Sequence, residues 1–141
     1  MKYGNRALLE GIKRKTVDVI TYERNSDGEV DEIAWRLREM SGTDRDKFEV
    51  SAFKDDADGK RIVDPLYLRA RLVALCLVGE DNVRLYADDE IHMLSDNASA
   101  SVIGKLFAAA QTLNALDGAA VEDAAKNSAS APAGALPSDL H

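Results

Sequence analysis

A chain of 141 residues with 18 basic and 25 acidic side chains, net −7, has the length of one domain and the wrong charge for nonspecific binding to nucleic acid or an anionic membrane. Hydrophobic residues make up 45% and aromatics only 6%, so the core must rest on Leu, Val, Ile and Ala. One cysteine, Cys76, rules out an intramolecular disulfide, and it lies in an apolar run where a free thiol acts as a small hydrophobe.

The amino terminus, MKYGNRALLEGIKRK, lacks the apolar stretch of a secretory signal. The longest nearly charge-free run, Leu72 to Gly79, falls far short of the roughly 20 residues that a membrane-spanning helix needs. The expectation is a soluble protein with no nucleic-acid and no membrane partner. Lys13-Arg14-Lys15 reads as the solvated flank of a strand.

Asn5 to Ile12 suits a short helical turn. Thr16 to Tyr22 alternates with period two, which puts Val17, Val19 and Thr21 on one face and Asp18, Ile20 and Tyr22 on the other. Asn25-Ser26-Asp27-Gly28 is a turn, its Asp-Gly pair suited to positive φ. Val30 to Met40 supplies a second strand with Ile33, Trp35 and Leu37 on a shared face, although Glu32 to Glu39 also suits a helix. A two-stranded hairpin is marginal alone, so this one should pack against a helix.

Thr43 is expected to cap the next helix, with Asp46 completing a T-x-x-D pattern, and the helix from Asp44 to about Lys54 turns Phe48, Ala52 and Phe53 inward. Asp55 to Lys60 reads as a loop. Asp64 reads as an N-cap with Pro65 at the first helical position. The helix that follows carries a stripe of Leu68, Leu72, Leu75 and Cys76, with Arg69 and Arg71 near its opposite side and Gly79 as a left-handed end. Val83, Leu85 and Tyr86 make an extended piece. Asp88 caps a brief helix through Leu94, with Asp89 and Glu90 in its first turn. Ser95 to Ala98 interrupts it. Ser99 or Ser101 then starts a helix to about Leu116, whose Val102, Ile103, Leu106, Phe107, Ala110 and Leu113 form one broad stripe. A last helical turn is expected from Gly118 to Lys126, and the Ala-, Ser- and Pro-rich 127–141 as a disordered tail.

These elements predict a mainly α fold with a small N-terminal β-hairpin (α+β): a compact helical domain of four to five helices and a disordered C-terminal tail. A single globular domain covers 1–126, with the hairpin at 16–40 and helices over 43–126.

The chain is poor in chemistry. Asp88 and His92 share a helix face, but one carboxylate and one imidazole are too few for a closed metal site. Neither Asp55 to Gly59 nor Glu80 to Asn82 fits a calcium loop, because the sixth position falls on Lys60 or Tyr86 and the twelfth on Leu66 or His92. Histidines stand only at 92 and 141, and no nucleophile elbow, P-loop or dinucleotide fingerprint is present. The reading is a non-enzymatic protein with no catalytic residue, no cofactor and no metal. The candidates for partner binding are Arg69 and Arg71, as anchors for an acidic group, and Leu106, Phe107 and Leu113, as one wall of a groove for an amphipathic helix. The bland alternative makes both arginines surface residues covering apolar area, and most of the stripe core.

Three segments in order, R-E-M-S-G-T-D-R-D-K-F-E (38–49), L-R-A-R-L-V-A-L-C-L-V (68–78) and E-D-N-V-R-L-Y-A-D-D-E-I-H-M-L (80–94), resemble the tail assembly chaperones of long, flexible-tailed bacteriophages and prophages. Leu106 to Leu116 (LFAAAQTLNAL) is similar to the helix that follows in that family, and the likeness covers roughly 35–128. The chain departs from the family pattern at Met40, which stands for Leu, at Cys76, which stands for Ser, and at Asn82-Val83, which replaces a glycine turn. The resemblance implies copies that bind the long helical tape measure protein, keep its apolar stripes soluble and help recruit tail tube subunits. It implies action in the bacterial host cytoplasm, absence from the finished virion, and in many members a longer frameshifted form. A structural virion component, such as a tail completion or connector protein, is the rival reading, and a small regulatory domain is a third. The acid-rich surface and wide stripes add the expectation of weak homo-oligomerisation.

Overall fold

The computed structural model describes residues 1–116. Helix α1 (Arg6–Gly11) opens the chain with Asn5 as its cap, whose side chain accepts the Leu8 N–H at 2.9 Å. Strands β1 (Thr16–Arg24) and β2 (Val30–Arg38) then form a long antiparallel hairpin, in a register that pairs Val19 with Trp35 and Thr21 with Ile33. Helix α2 (Gly42–Ser51), β3 (Phe53–Asp55), β4 (Arg61–Val63), α3 (Leu68–Cys76), β5 (Leu77–Val78), a 3-10 turn at Asp88–Glu90, α4 (Ile91–Asn97) and α5 (Ala100–Leu113) follow.

The fold is therefore an α+β mix, and the expectation of a mainly helical protein with one hairpin is corrected. Among the described residues there are five strands in two antiparallel sheets: β1-β2-β5, and the satellite hairpin β3-β4. Two physical reasons account for the difference. β3 and β4 have three residues each, too short to display a period. β5 continues the apolar run of α3 without a break, and strand and helix are indistinguishable by pattern in such a run. Its Leu77 pairs with Leu37 and its Val78 with Arg36.

The turns 25–29, 56–60 and 79–83 share one backbone design. In each, the first residue donates its N–H to the fifth carbonyl (2.8, 2.8 and 2.9 Å), and the fourth donates back to the first (3.0, 3.0 and 2.9 Å). The fourth position is left-handed each time: Gly28 at φ 82°, Gly59 at 79° and Asn82 at 63°. Asn is among the few side chains that tolerate this region. Asn82 thus does the work of a glycine, while Gly79, expected to end α3 left-handed, instead opens the third turn.

Other boundaries shift too. Ser41, not Thr43, caps α2, its Oγ accepting the Asp44 N–H at 3.1 Å. α4 runs on to Asn97, and Ser99 caps α5 by accepting the Val102 N–H at 3.2 Å. The residues expected at 118–126 and 127–141 lie outside those described.

The odd-numbered side chains of β1 and β2 face the helices. Leu37 and Thr21 are buried there, and Thr21 Oγ1 accepts the Trp35 indole N–H at 2.8 Å. α5 lies against this face, as the hairpin required, and α3 is sandwiched between α5, α2 and α4. In α3, Ala70 and every residue from Leu72 to Cys76 are buried, wider than the four-residue stripe read from the sequence. Leu72→Ala should cost about 3 kcal/mol, from lost transfer energy plus the cavity left behind. Urea denaturation would check it, and a loss under about 1 kcal/mol would contradict the packing described.

Candidate functional site

The start of α3 departs from the sequence expectation. Asp64 and Pro65 do not open the helix. Asp64 Oδ1 accepts the Leu66 N–H at 3.0 Å, the chain turns through Tyr67, and α3 begins at Leu68. Tyr67 is left-handed, φ 62° and ψ 11°, a conformation that costs a non-glycine residue about 1–2 kcal/mol. No side chain caps α3. The start of α3, Arg69 included, lines a cavity of about 400 Å³. The walls are Tyr67, Leu68 and Ala70 on one side and Ser95, Ala98 and Ile103, from α4 and α5, on the other.

The five partner-binding candidates separate here. Arg69 is exposed and its guanidinium lies 5.9 Å from the centre of the half-buried Phe107 ring, a cation–π distance. These two, from α3 and α5, are brought together at the surface. Arg71 is only 16% exposed and points the other way. Its Nη1 donates to the Ser51 carbonyl at 2.8 Å and its Nη2 to Asp64 Oδ2 at 3.2 Å, tying α3 to α2 and to the β4–α3 link. Leu106, 2% exposed, belongs to the core, and Leu113 is half-buried against it. Tyr67 was missed, because reading Pro65 as the first helical residue hid the turn in front of α3, and Ala98 because Ser95 to Ala98 was read only as an interruption of the helix.

Asp56, Asp81 and Asp88 have structural partners. Asp88 Oδ1 accepts from Arg84 Nη1 at 2.9 Å and Oδ2 from Lys47 Nζ at 3.3 Å, and the Arg84 hydrogen bond leads in holding its carboxyl below the ordinary range. It does not cap the helix after it: that turn starts at Ala87, whose N–H donates to the Glu90 carboxylate at 2.8 Å. In the two acidic loops, Asp56 Oδ1 accepts the Asp58 and Lys60 N–H groups (2.9 and 2.8 Å), and Asp81 Oδ1 accepts that of Val83 at 3.0 Å. Among the described residues, no group of three or more His, Cys, Asp or Glu is placed to hold a metal ion, and no helix is long and apolar enough to cross a membrane. Burial pushes the Cys76 thiol up to about 11, against the lowering effect of the Asn114 amide 3.4 Å away. At neutral pH it is a protonated core residue and no nucleophile.

A twisted antiparallel sheet with helices on one face and a satellite hairpin defines the class: a small α+β domain whose surface features are a groove and a sheet edge. Among solved structures, that of the bacteriophage HK97 tail assembly chaperone has a similar fold, with a TM-score of 0.50 over 76% of this chain and 94% of that one. At 17% identity the likeness is one of fold. No protein-family model and no curated protein matches the chain.

Two checks follow from the ionisation states. For Asp64, desolvation pulls the carboxyl up, but the Leu66 N–H and Arg71 outweigh it and the net shift is downward from 3.8. A lowered folded value contributes stability that is present above the unfolded value and lost as pH falls through the folded one. Asp64→Asn should therefore melt lower than the parent at pH 7, and the gap should close below about pH 4; a gap independent of pH would contradict the ion pair. A disulfide reagent at pH 7.5 should leave Cys76 unmodified until denaturant is added. Labelling of the native chain within minutes would contradict its burial.

Proposed function

We propose that the chain is a non-enzymatic tail assembly chaperone of a long-tailed bacteriophage or prophage. It binds amphipathic helical segments of the tape measure protein, keeps them soluble in the host cytoplasm, helps recruit tail tube subunits, and is left out of the finished virion. The observation that carries this reading is the shared fold with the HK97 tail assembly chaperone, which spans nearly all of that chain. The ordered sequence segments from 38 to 116 point the same way independently.

The groove beside Arg69 supplies a physical means. A long amphipathic helix exposes apolar stripes that would aggregate, and such a helix docks by setting anchoring side chains into apolar pockets. The cavity holds anchors of that kind and not a whole helix. Arg69 and the uncapped start of α3 favour an acidic residue on the partner. The net charge of −7 keeps the loaded complex dispersed. Several copies along one partner add avidity to a contact weak enough for tube subunits to displace.

Co-expression with the tape measure protein of the same gene cluster should move that protein from the insoluble to the soluble fraction. Arg69→Glu should weaken the contact about tenfold while the melting temperature holds. A tape measure protein equally soluble without the chain would refute the proposal, and recovery of the chain from purified particles would favour a structural virion component.

A further inference from the structure

Among the described residues, strand β1 is a sheet edge: β2 pairs with one side of it and no strand pairs with the other. The side facing outward can be read from the ladder: the Lys15 carbonyl accepts from Glu39 and Asn25 donates to Glu29, so odd-numbered residues of β1 bond to β2. The N–H and C=O groups of Asp18, Ile20, Tyr22 and Arg24 therefore point away from the sheet. Edges are usually blunted by a proline, a bulge, brevity or charged side chains, and of these β1 has only charges, at Asp18, Glu23 and Arg24. β1 contains no proline, pairs with β2 in unbroken register over nine residues, and leaves Ile20 41% and Tyr22 67% exposed on the outer face.

We propose that this edge is an interface between two copies of the chain, paired antiparallel about a two-fold axis at Thr21, so that two three-stranded sheets join into one.

The charges select this register. Only registers that oppose even with even residues let the outward groups bond, so the alternatives differ by steps of two. With the axis at Thr21, Asp18 lies opposite Arg24 of the second copy and Ile20 opposite Tyr22, and the symmetry repeats both pairs. On the flanks Lys15 meets Asp27. An opposite-charge pair and an aromatic–β-branched pair are favourable cross-strand neighbours. Moving the axis to Val19 sets Arg14 against Arg24. Moving it to Ile20 opposes Asp18 with Tyr22, and moving it to Tyr22 opposes Ile20 with Arg24; both lose the Asp18–Arg24 pairs. Asp18 already meets Arg36 of its own sheet at 3.4 Å, so Arg24 of the second copy would extend that contact into a row on the outer face. Arg24 now donates to the Gly28 carbonyl and keeps further guanidinium donors for the new partner. The contact uses neither Arg69 nor Phe107, so its failure would leave the groove reading untouched.

The test is sedimentation of the full chain from micromolar to millimolar concentration, with charge exchange across the proposed register. The parent should rise from the 15.3 kDa of one chain towards twice that mass. Asp18→Arg and Arg24→Asp should each stay single, because each opposes like charges, and the double variant Asp18→Arg/Arg24→Asp should recover the dimer. Ile20→Pro removes an outward N–H that β2 does not use, and it too should abolish pairing while the melting curve stays cooperative. A parent that remains single at millimolar concentration, a dimer indifferent to Asp18→Arg, or a double variant that stays single would each overturn the proposal.

Discussion

From Leu72 to Cys76 helix α3 is apolar around its whole circumference, and that constraint organises the rest of the protein. A helix of this kind has no face to give to water and must be surrounded. From Leu72 to Cys76 every side chain is buried, and α2, α4, α5 and β2 supply the surroundings. Its one outlet to solvent is the first turn, where Arg69 is exposed. The same constraint decides where α3 meets solvent: its exposed polar surface is confined to its start, where no side chain caps the helix, Tyr67 is left-handed and a cavity opens between α3 and the α4–α5 junction.

At the other end of α3 a single buried amide closes the structure. The Asn114 Oδ1 accepts the Met40 N–H at 2.8 Å, its Nδ2 donates to the Ala110 carbonyl at 2.8 Å, and its own carbonyl accepts Arg45 Nη1 at 3.1 Å. One residue thereby holds the end of β2, the body of α2 and the end of α5 around Cys76. A buried polar group this well partnered specifies one arrangement among the many that an apolar core of Leu, Val and Ala would accept. Cys76 is compatible with it, because the thiol is a small group that fits beside the amide, 3.4 Å from its nitrogen.

Period made much of this legible in the sequence, and capping residues made less of it, Ser99 being the start read correctly. The β1–β2 hairpin, the inward Phe48 and Ala52 and the broad stripe of α5 follow from period, whereas α2 ends at Ser51, short of Lys54, and Phe53 is buried from β3. Elements too short to show a period were not legible. β3 and β4 lie on either side of an Asp58-Gly59 pair that matches Asp27-Gly28, so the turn chemistry signalled a hairpin where the flanking runs did not. β5 was hidden in the apolar run of α3. For the site, the sequence placed Arg69 and Arg71 together, two positions apart. Two positions on a helix are about 200° apart. That separation turns Arg69 towards Phe107 and Arg71 towards Asp64 and Ser51, one to the surface groove and the other into the framework. Asn114 was legible only as part of a motif, since one Asn at the end of an apolar helix looks like an ordinary C-terminal residue.

If the groove beside Arg69 docks an amphipathic helix, the contact should leave a local signature. The direct measurement is an NMR titration of the chain with a peptide from an amphipathic segment of a tape measure protein, the partner proposed above. The amides of Arg69, Ala70, Ala98 and Ile103 should shift in a saturable way, while those of Asp18 to Arg24 stay in place. Shifts confined to β1, or no saturable shift at all, would contradict the assignment of the groove.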